Sequence, residues 1–490
     1  MSDVVQKFWG FCHTLRHDGI DYGDYIEQIT YLLFLKMADE RGIDLSRIGV
    51  PEEGKVAFDC AWPALSGEDP ASLIHHYTGV LNTLGCQPGL LGDIFEKAVS
   101  RFKNAANLKR LIDLIDEREW SALEVDLKAA VFEGLLEKAA SEGKKGAGQY
   151  FTPRRLIQSI VRCVRPDPRE SPEFTICDPA CGTGGFLVVA YEWFLAEADA
   201  EARHPELLQR LRQGTYFGQE LVDRPRRLAL MNLFLHELEP EIRHGDSIDE
   251  PPGERRFDVV LTNPPFGNKG ANQAPKRDDL AVKTSNKQLN FLQHVLTLLK
   301  PGGRAAVIVP DNCLFADQAG EVFRQLTQDC NLHTVLRLPN GTFTPYSAGT
   351  KTNVVFFTKG QPTETVWVYD ARTNVPRITK KDRPLTHEHL RAFEECYGRD
   401  PHGGFRRAAD PRDDRWRPFS MAEIRAHDFK IDGLKWLREE SLEDELPEPE
   451  ELATEAIAEL RKAVSELSSI LLLLEDDAEP KRPRVLQGGS

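Results

Sequence analysis

The sequence predicts an α/β protein: a parallel-rich sheet with flanking helices, preceded by an all-helical domain and followed by a C-terminal helical tail. Three observations carry this. Over residues 1–140 apolar side chains recur at helical spacing, as in Tyr25, Ile29, Leu32 and Leu33, then Leu108, Leu111, Ile112 and Ile115. Between about 150 and 360, strand-like runs at 174–178, 215–219, 257–262, 304–309, 333–338 and 353–358 alternate with helical stretches. From Glu451 to Glu475, Leu452, Ala456, Leu460, Ala463, Leu467 and Leu471 draw one apolar stripe along a long helix. The expected organisation is therefore a helical domain at 1–140, an α/β domain at 141–360, a mixed polar extension at 361–450, and a tail at 451–490. The helix Phe291–Leu299 has a clear stop in Lys300-Pro301-Gly302-Gly303 before the strand that follows. The last residues, Pro480 to Ser490, read as disordered.

Composition narrows the class. A chain of 490 residues can bury two or three domain cores. It has no amino-terminal apolar segment behind a positive region, and the apolar run Leu471–Leu474 is far shorter than a bilayer span, so a soluble cytoplasmic protein without membrane contact is expected. Nine cysteines without CxxC or other metal-ligand spacing suit reduced thiols and no metal site. Cys177 and Cys181 fit small buried hydrophobes. The formal net charge of −15 is awkward for a lone nucleic-acid binder, because Lys and Arg must neutralise phosphates, and it argues for a partner. Lys269, Lys276, Arg277, Lys283 and Lys287 nevertheless crowd one polar segment, which fits either a phosphate-contacting patch or a solvated loop.

Two motifs carry chemistry. The stretch from Thr175 to Ala190 reads as a strand, a glycine-rich turn and a helix start, with Asp178, Pro179, Ala180, Cys181, Gly182, Thr183, Gly184, Gly185 and Phe186 in the turn. Glycines there let backbone amides approach a ligand, and a helix amino terminus favours an anionic group. The spacing is neither GxGxxG nor GxxxxGK[ST], which weakens dinucleotide and nucleoside-triphosphate readings. The second motif, Asn263-Pro264-Pro265-Phe266, follows the apolar run Phe257–Leu261 and so lies at the carboxyl end of a buried strand, where open α/β sheets bind ligands. Two prolines hold the Asn side-chain oxygen, a backbone carbonyl and an aromatic face nearly rigid. A planar group bearing an exocyclic amine fits such a site.

In order and content, these motifs resemble the cofactor and catalytic loops of amino-group DNA methyltransferases, which modify adenine N6 or cytosine N4. Gly148-Gln149-Tyr150-Phe151-Thr152-Pro153, Tyr216-Phe217-Gly218-Gln219-Glu220 and His244-Gly245-Asp246 extend the resemblance. Phe8-Trp9, Thr14-Leu15-Arg16, Asp21-Tyr22 and Leu32 to Lys36 resemble the helical domain of the modification subunit of type I restriction-modification systems. The resemblance implies a Rossmann-like S-adenosylmethionine-dependent methyltransferase fold with S-adenosyl-L-methionine as cofactor. It implies that Asp178 to Gly184 line the methionine part, with Gly185 and Phe186 closing the motif, that Glu220 accepts from the ribose hydroxyls, and that Asp246 faces the adenine. Tyr150, Phe151, Thr152 and Pro153 would flank the cofactor, although Thr152-Pro153 fits an ordinary helix start equally well.

The chemistry follows from residue types. An adenine amine is a poor nucleophile because its lone pair is delocalised into the ring. The Asn263 oxygen and the Pro264 carbonyl can accept both amine hydrogens and stabilise the positive charge that develops on nitrogen. Phe266 would stack on a base taken out of the duplex. By resemblance the first residue, Asn rather than Ser, favours adenine over cytosine. No sizeable segment after the catalytic loop reads bases. The chain is therefore expected to act on double-stranded DNA with a separate specificity subunit, two copies to one, joined by a restriction and translocation subunit. The apolar stripe of the tail either packs on the chain's own body or, as the resemblance implies, docks on the specificity subunit. A protein-glutamine or RNA amino-group methyltransferase, or a catalytically silent scaffold, remains open.

Overall fold

The chain is described as a computed structural model that covers residues 22–46, 58–120, 152–198, 204–239, 241–266, 274–344, 349–379, 382–404 and 414–431, with a few isolated residues besides. The tail at 451–490, Tyr150, Phe151, Lys269 and most of the amino-terminal residues that carry the resemblance before Tyr22 lie outside the described residues.

The amino-terminal region is helical, as expected: α1 (Tyr22–Glu40), α2 (Trp62–Ser66), α3 (Leu73–Gly85), α4 (Leu90–Phe95) and α5 (Ala105–Asp116). The spacing in α1 predicts a single apolar stripe, yet the helix is buried nearly all round from Tyr25 to Leu35. It is the central rod of this region, which is why its polar residues are hydrogen-bonded inside. Gln28 donates to the Val99 carbonyl at 3.0 Å and accepts from the Tyr77 hydroxyl at 3.2 Å.

The α/β region follows in the order α6 (Arg154–Val164), β1 (Ile176–Asp178), α7 (Gly185–Glu197), α8 (Pro205–Gln213), β2 (Tyr216–Glu220), α9 (Asp223–Leu235), β3 (Glu241–His244) and β4 (Phe257–Thr262). It continues with α10 (Lys287–Leu298), β5 (Leu299–Pro310), α11 (Asn312–Phe315), α12 (Ala319–Asp329), β6 (Cys330–Arg337), β7 (Thr352–Lys359), β8 (Thr365–Asp370), α13 (Glu388–Tyr397), β9 (Trp416–Ser420) and α14 (Met421–Ala426). One sheet runs β3-β2-β1-β4-β5-β7-β6-β8-β9. Its first five strands are parallel, whereas β7 runs antiparallel between β5 and β6. The polar extension after 360, for which sequence patterning suggests no strands, adds β8 parallel to β6 and β9 antiparallel to β8.

Period-two alternation divides the core. Ile176, Val259, Leu261, Ala306, Ile308, Val354 and Phe356 face one layer, continuous with α6, α7, α9 and the helical domain. Cys177, Val260, Ala305, Val307, Val309, Val355 and Phe357 face the other, which holds α10 and α12. Gly303 permits the bulge between β4 and β5, because a Cβ there would lie 2.9 Å from the Phe257 carbonyl.

The helical domain is joined to the sheet chiefly through α9. Arg227 is ion-paired with Glu27 of α1, both buried, and also donates to the Glu96 carbonyl at 2.7 Å. Arg226 pairs with Asp93 at 2.9 Å, and the Phe34 and Phe234 rings meet at 4.5 Å. Deleting one member of a buried ion pair strands the other charge. Glu27→Ala should therefore lose about 3–5 kcal/mol in urea denaturation, whereas Glu27→Met combined with Arg227→Met should lose less than the single substitution.

Candidate active site

The sheet order reverses between β1 and β4, which pair as Ile176 with Val259 and Cys177 with Val260. The loops leaving these strands diverge, and the crevice between them is where such sheets take ligands. Both motifs emerge there.

After Asp178 the chain turns back over β2, where the Cys181 amide donates to the Gln219 carbonyl at 3.0 Å and the Gly184 amide to the Cys181 carbonyl at 2.8 Å. Gly182 and Gly184 have φ of +54° and +79°, a region that side-chain-bearing residues rarely adopt. A Cβ on Gly184 would also press on Leu233 and Ala229 of α9 at 3.3 and 3.4 Å. Gly182 faces open space instead. Gly185 opens α7, and Phe186 is buried in the core, which gives it a packing role. Thr183 is tied down by Asn232 of α9, whose Nδ2 donates to its carbonyl at 3.1 Å.

Two carboxylates frame the loop. Asp178 is almost fully buried and accepts from the Ala180 amide at 3.0 Å. Burial raises its pKa to about 7, an effect reinforced by Glu220 and opposed by that amide. Glu220, at the end of β2, accepts from the Gly182 and Val222 amides, each at 2.9 Å. Its pKa is also raised by burial, against the pull of those amides. Cys177 and Cys181 are buried thiols held well above their ordinary pKa by desolvation, hence inert.

Asp246 follows β3, where its Oδ1 accepts from the Ile248 amide at 2.8 Å and so shapes the turn. Ser247 joins this turn to the glycine loop by donating to the Pro179 carbonyl at 2.6 Å.

At the end of β4, Asn263 donates from Nδ2 to the Thr152 hydroxyl at 2.9 Å, and its Oδ1 is a buried acceptor without a partner. Pro264 is buried, and the Pro265 carbonyl accepts from Gln288 at 2.6 Å. The half-buried Phe266 ring meets Phe343 edge-on at 6.0 Å. Pro153 precedes α6, and no side chain caps that helix, so the Thr152 hydroxyl serves Asn263 rather than a helix cap. Thr152, Asp178, Gly182, Glu220 and Asn263 thus gather at the crevice.

Several supports carry no motif in the sequence. Gln288, Asn290 and Gln293 are buried on α10 and strap the preceding segment: Asn290 donates to the Thr284 carbonyl at 2.9 Å, and Gln293 bonds both the amide and the carbonyl of Val282. An amide every two or three residues beside apolar ones was the available signal.

The basic segment differs from expectation. Arg277 is buried, donates to the Ser247 carbonyl at 2.7 Å and packs on His294 and Asp279. The Lys283 ammonium donates to the Arg277 carbonyl. Both groups bond within the protein, although Lys283, like Lys276, is an exposed residue. Burial and Arg277 hold the His294 pKa down at about 3, so it stays neutral beside that cation.

Among the described residues no helix is long and apolar enough to cross a membrane, and no cluster of three metal-ligating side chains occurs.

Comparison with known proteins gives a consistent answer. Residues 124–445 match the N-6 DNA Methylase family and residues 4–138 the HsdM N-terminal domain. The chain is 37% identical to the type I restriction enzyme StySPI methylase subunit of Salmonella potsdam, over 98% of this chain and 97% of that one. The EcoKI methylase subunit of Escherichia coli (strain K12) is also 37% identical, with the same coverage. Among solved structures, a chain from a study of complex assembly and conformational transition of the type I R-M system superposes with a TM-score of 0.72 at 27% identity, covering 97% of this chain and 99% of that one. The crystal structure of the EcoKI M protein aligns over 100% of both chains with a TM-score of 0.53 at 33% identity.

Because the buried Asp178 carboxyl favours its neutral form, its contribution to stability falls as pH rises from about 4 to about 7 and is flat above. Asp178→Asn should therefore be more stable than wild type at pH 8, by roughly 1–3 kcal/mol, with the gap closing toward pH 4 in urea titrations.

Proposed function

We propose a role for this chain from one premise: it belongs to the N-6 DNA Methylase family, among the type I restriction enzyme methylase subunits. It is a site-specific adenine-N6 DNA methyltransferase that uses S-adenosyl-L-methionine and serves as the modification subunit of a type I restriction-modification complex. The carrying observation is the buried, unpartnered Oδ1 of Asn263 at the carboxyl end of β4, next to the proline-fixed Pro264 carbonyl. Two acceptors at that place are what an exocyclic amine needs, and the Asn263 oxygen and the Pro264 carbonyl would supply them.

The residues beside the crevice suit the cofactor. Gly182 presents open space at a φ that a side chain would strain, and Glu220 already accepts backbone N–H groups as it would accept ribose hydroxyls. Asp178 and the Asp178–Gly184 loop would hold the methionine end, with Asp246 toward the adenine. When bound, S-adenosyl-L-methionine supplies an electrophilic methyl group on sulfonium. Asn263 Oδ1 and the Pro264 carbonyl accept the amine hydrogens of the extruded adenine, which localises the lone pair on N6 and offsets the positive charge that builds there. Phe266, braced by Phe343, offers the base a stacking face. No protein nucleophile is required.

The complex would pair two copies of this chain with one specificity subunit, be joined by a restriction subunit on double-stranded DNA, and reside in the cytoplasm. The acidic chain, at −15, supports sharing DNA contact with a partner. Residues 1–140 would form the helical domain, 141–360 the catalytic domain with its extension to 450, and 451–490 the docking tail.

Labelled methyl transfer to unmethylated DNA, with and without a co-expressed specificity subunit, tests the reading by nucleoside analysis. Label on adenine N6 only with the partner is expected, and label on cytosine, or none on DNA, would overturn it. Asn263→Ala should lower kcat by about 10²–10³-fold while cofactor affinity, read by calorimetry, stays within a few fold.

A further inference from the structure

An amide side chain is nearly symmetric in shape, so Asn263 fits its site in two orientations that differ only in which atom faces the crevice. One presents the oxygen to the incoming amine. The other presents two N–H groups to a group that also carries N–H, and no transfer can follow. Something must select between them, and the proline-bound backbone cannot, because it fixes the chain and not the rotation of the amide.

We propose that Thr152 is a positioning residue that selects the productive orientation of Asn263. Its hydroxyl oxygen lies 2.9 Å from Asn263 Nδ2 and accepts from it, which leaves Oδ1 as the buried acceptor without a partner. Thr152 is itself held. It precedes Pro153, which confines it to extended backbone, and its hydroxyl is not used to cap α6. That helix is anchored by the Arg154–Glu192 pair at 2.5 Å and by the bidentate Arg162–Glu394 pair at 2.8 and 2.7 Å. Gln288 fixes the far side of the loop through the Pro265 carbonyl.

A hydroxyl can donate as well as accept, so its selectivity depends on where its own hydrogen goes. This part rests on the cofactor reading above: Thr152 lies in the stretch that would flank the cofactor, whose carboxylate can only accept. A hydroxyl that donates to such a group has only lone pairs left for Asn263, and the amide must then turn its NH₂ toward Thr152. Cofactor binding and orientation of the catalytic acceptor are thereby linked through one hydroxyl group.

The test compares Thr152→Val, which keeps the shape and removes the hydroxyl, with Thr152→Ser, which keeps the hydroxyl, each in the complex with the specificity subunit. An unsatisfied buried amide disfavours its orientation by a factor equivalent to about ten- to a hundredfold in kcat. Thr152→Val should show that loss in kcat at saturating DNA and cofactor, with KM for DNA within a few fold of wild type and a weaker calorimetric Kd for S-adenosylmethionine, since the same hydroxyl serves both. Thr152→Ser should recover most of it, and Thr152→Ala serves if the Val protein does not fold. A Ser protein as impaired as the Val protein, a loss confined to cofactor affinity, or an unchanged kcat in the Val or Ala protein would overturn the proposal. Failure of the wild-type complex to methylate adenine would instead overturn the functional reading.

Discussion

The pairing of β1 with β4 is the constraint on which everything else hangs. The two strands are adjacent in space yet separated by some eighty residues, and the chain leaves them toward opposite sides of the sheet. That divergence opens the crevice. It also sets a division of labour: the loop after β1 is a cradle of close-approaching backbone built on glycines, while the loop after β4 is a shelf built on prolines. The first suits a ligand that backbone groups enfold, and the second suits acceptors that must meet developing charge without reorganising.

The helix α9 gives the cradle its seat. One side carries Arg226, Arg227 and Phe234 against the helical domain, and the other carries Ala229, Asn232 and Leu233 against the glycine loop. Buried arginines are costly to desolvate, and Glu27 of α1 and Asp93 of α4, with the Glu96 and Ile242 carbonyls, offset that cost. The helical domain is thus part of what makes the α/β layer stable.

Much of this was legible in the sequence, for identifiable reasons. The strands of the crevice are short β-branched runs between turn residues, and both loops carry unusual strings that only a few backbone shapes accommodate. The expectation of a helical amino-terminal region holds as well. What stayed hidden depends on tertiary pairing. β8 and β9 are short runs inside a polar stretch of sequence, and their buried residues find a place only because β8 pairs with the edge of β6 and β9 in turn with β8. Gln288, Asn290 and Gln293 look like a solvated face until the straps they hold are seen. Arg277 reads from its neighbours in sequence as part of a phosphate-contacting patch or a solvated loop, but the Ser247 carbonyl and Asp279 draw it inside. Charge counted along a chain does not report which charges reach water.

The antiparallel β7 has a consequence for how the molecule is made. It lies between β5 and β6, so the strand synthesised third of the three occupies the middle place. When β5 and β6 have left the ribosome, the free edge of β5 has no lasting neighbour until residues 352–359 arrive. During that interval a run of buried-type residues, Ala305 to Val309, presents unpaired backbone groups, the condition under which chains associate edge to edge. The middle place of this sheet can therefore be filled only once residues 352–359 have been made, so its assembly is not a strand-by-strand zippering from the amino terminus.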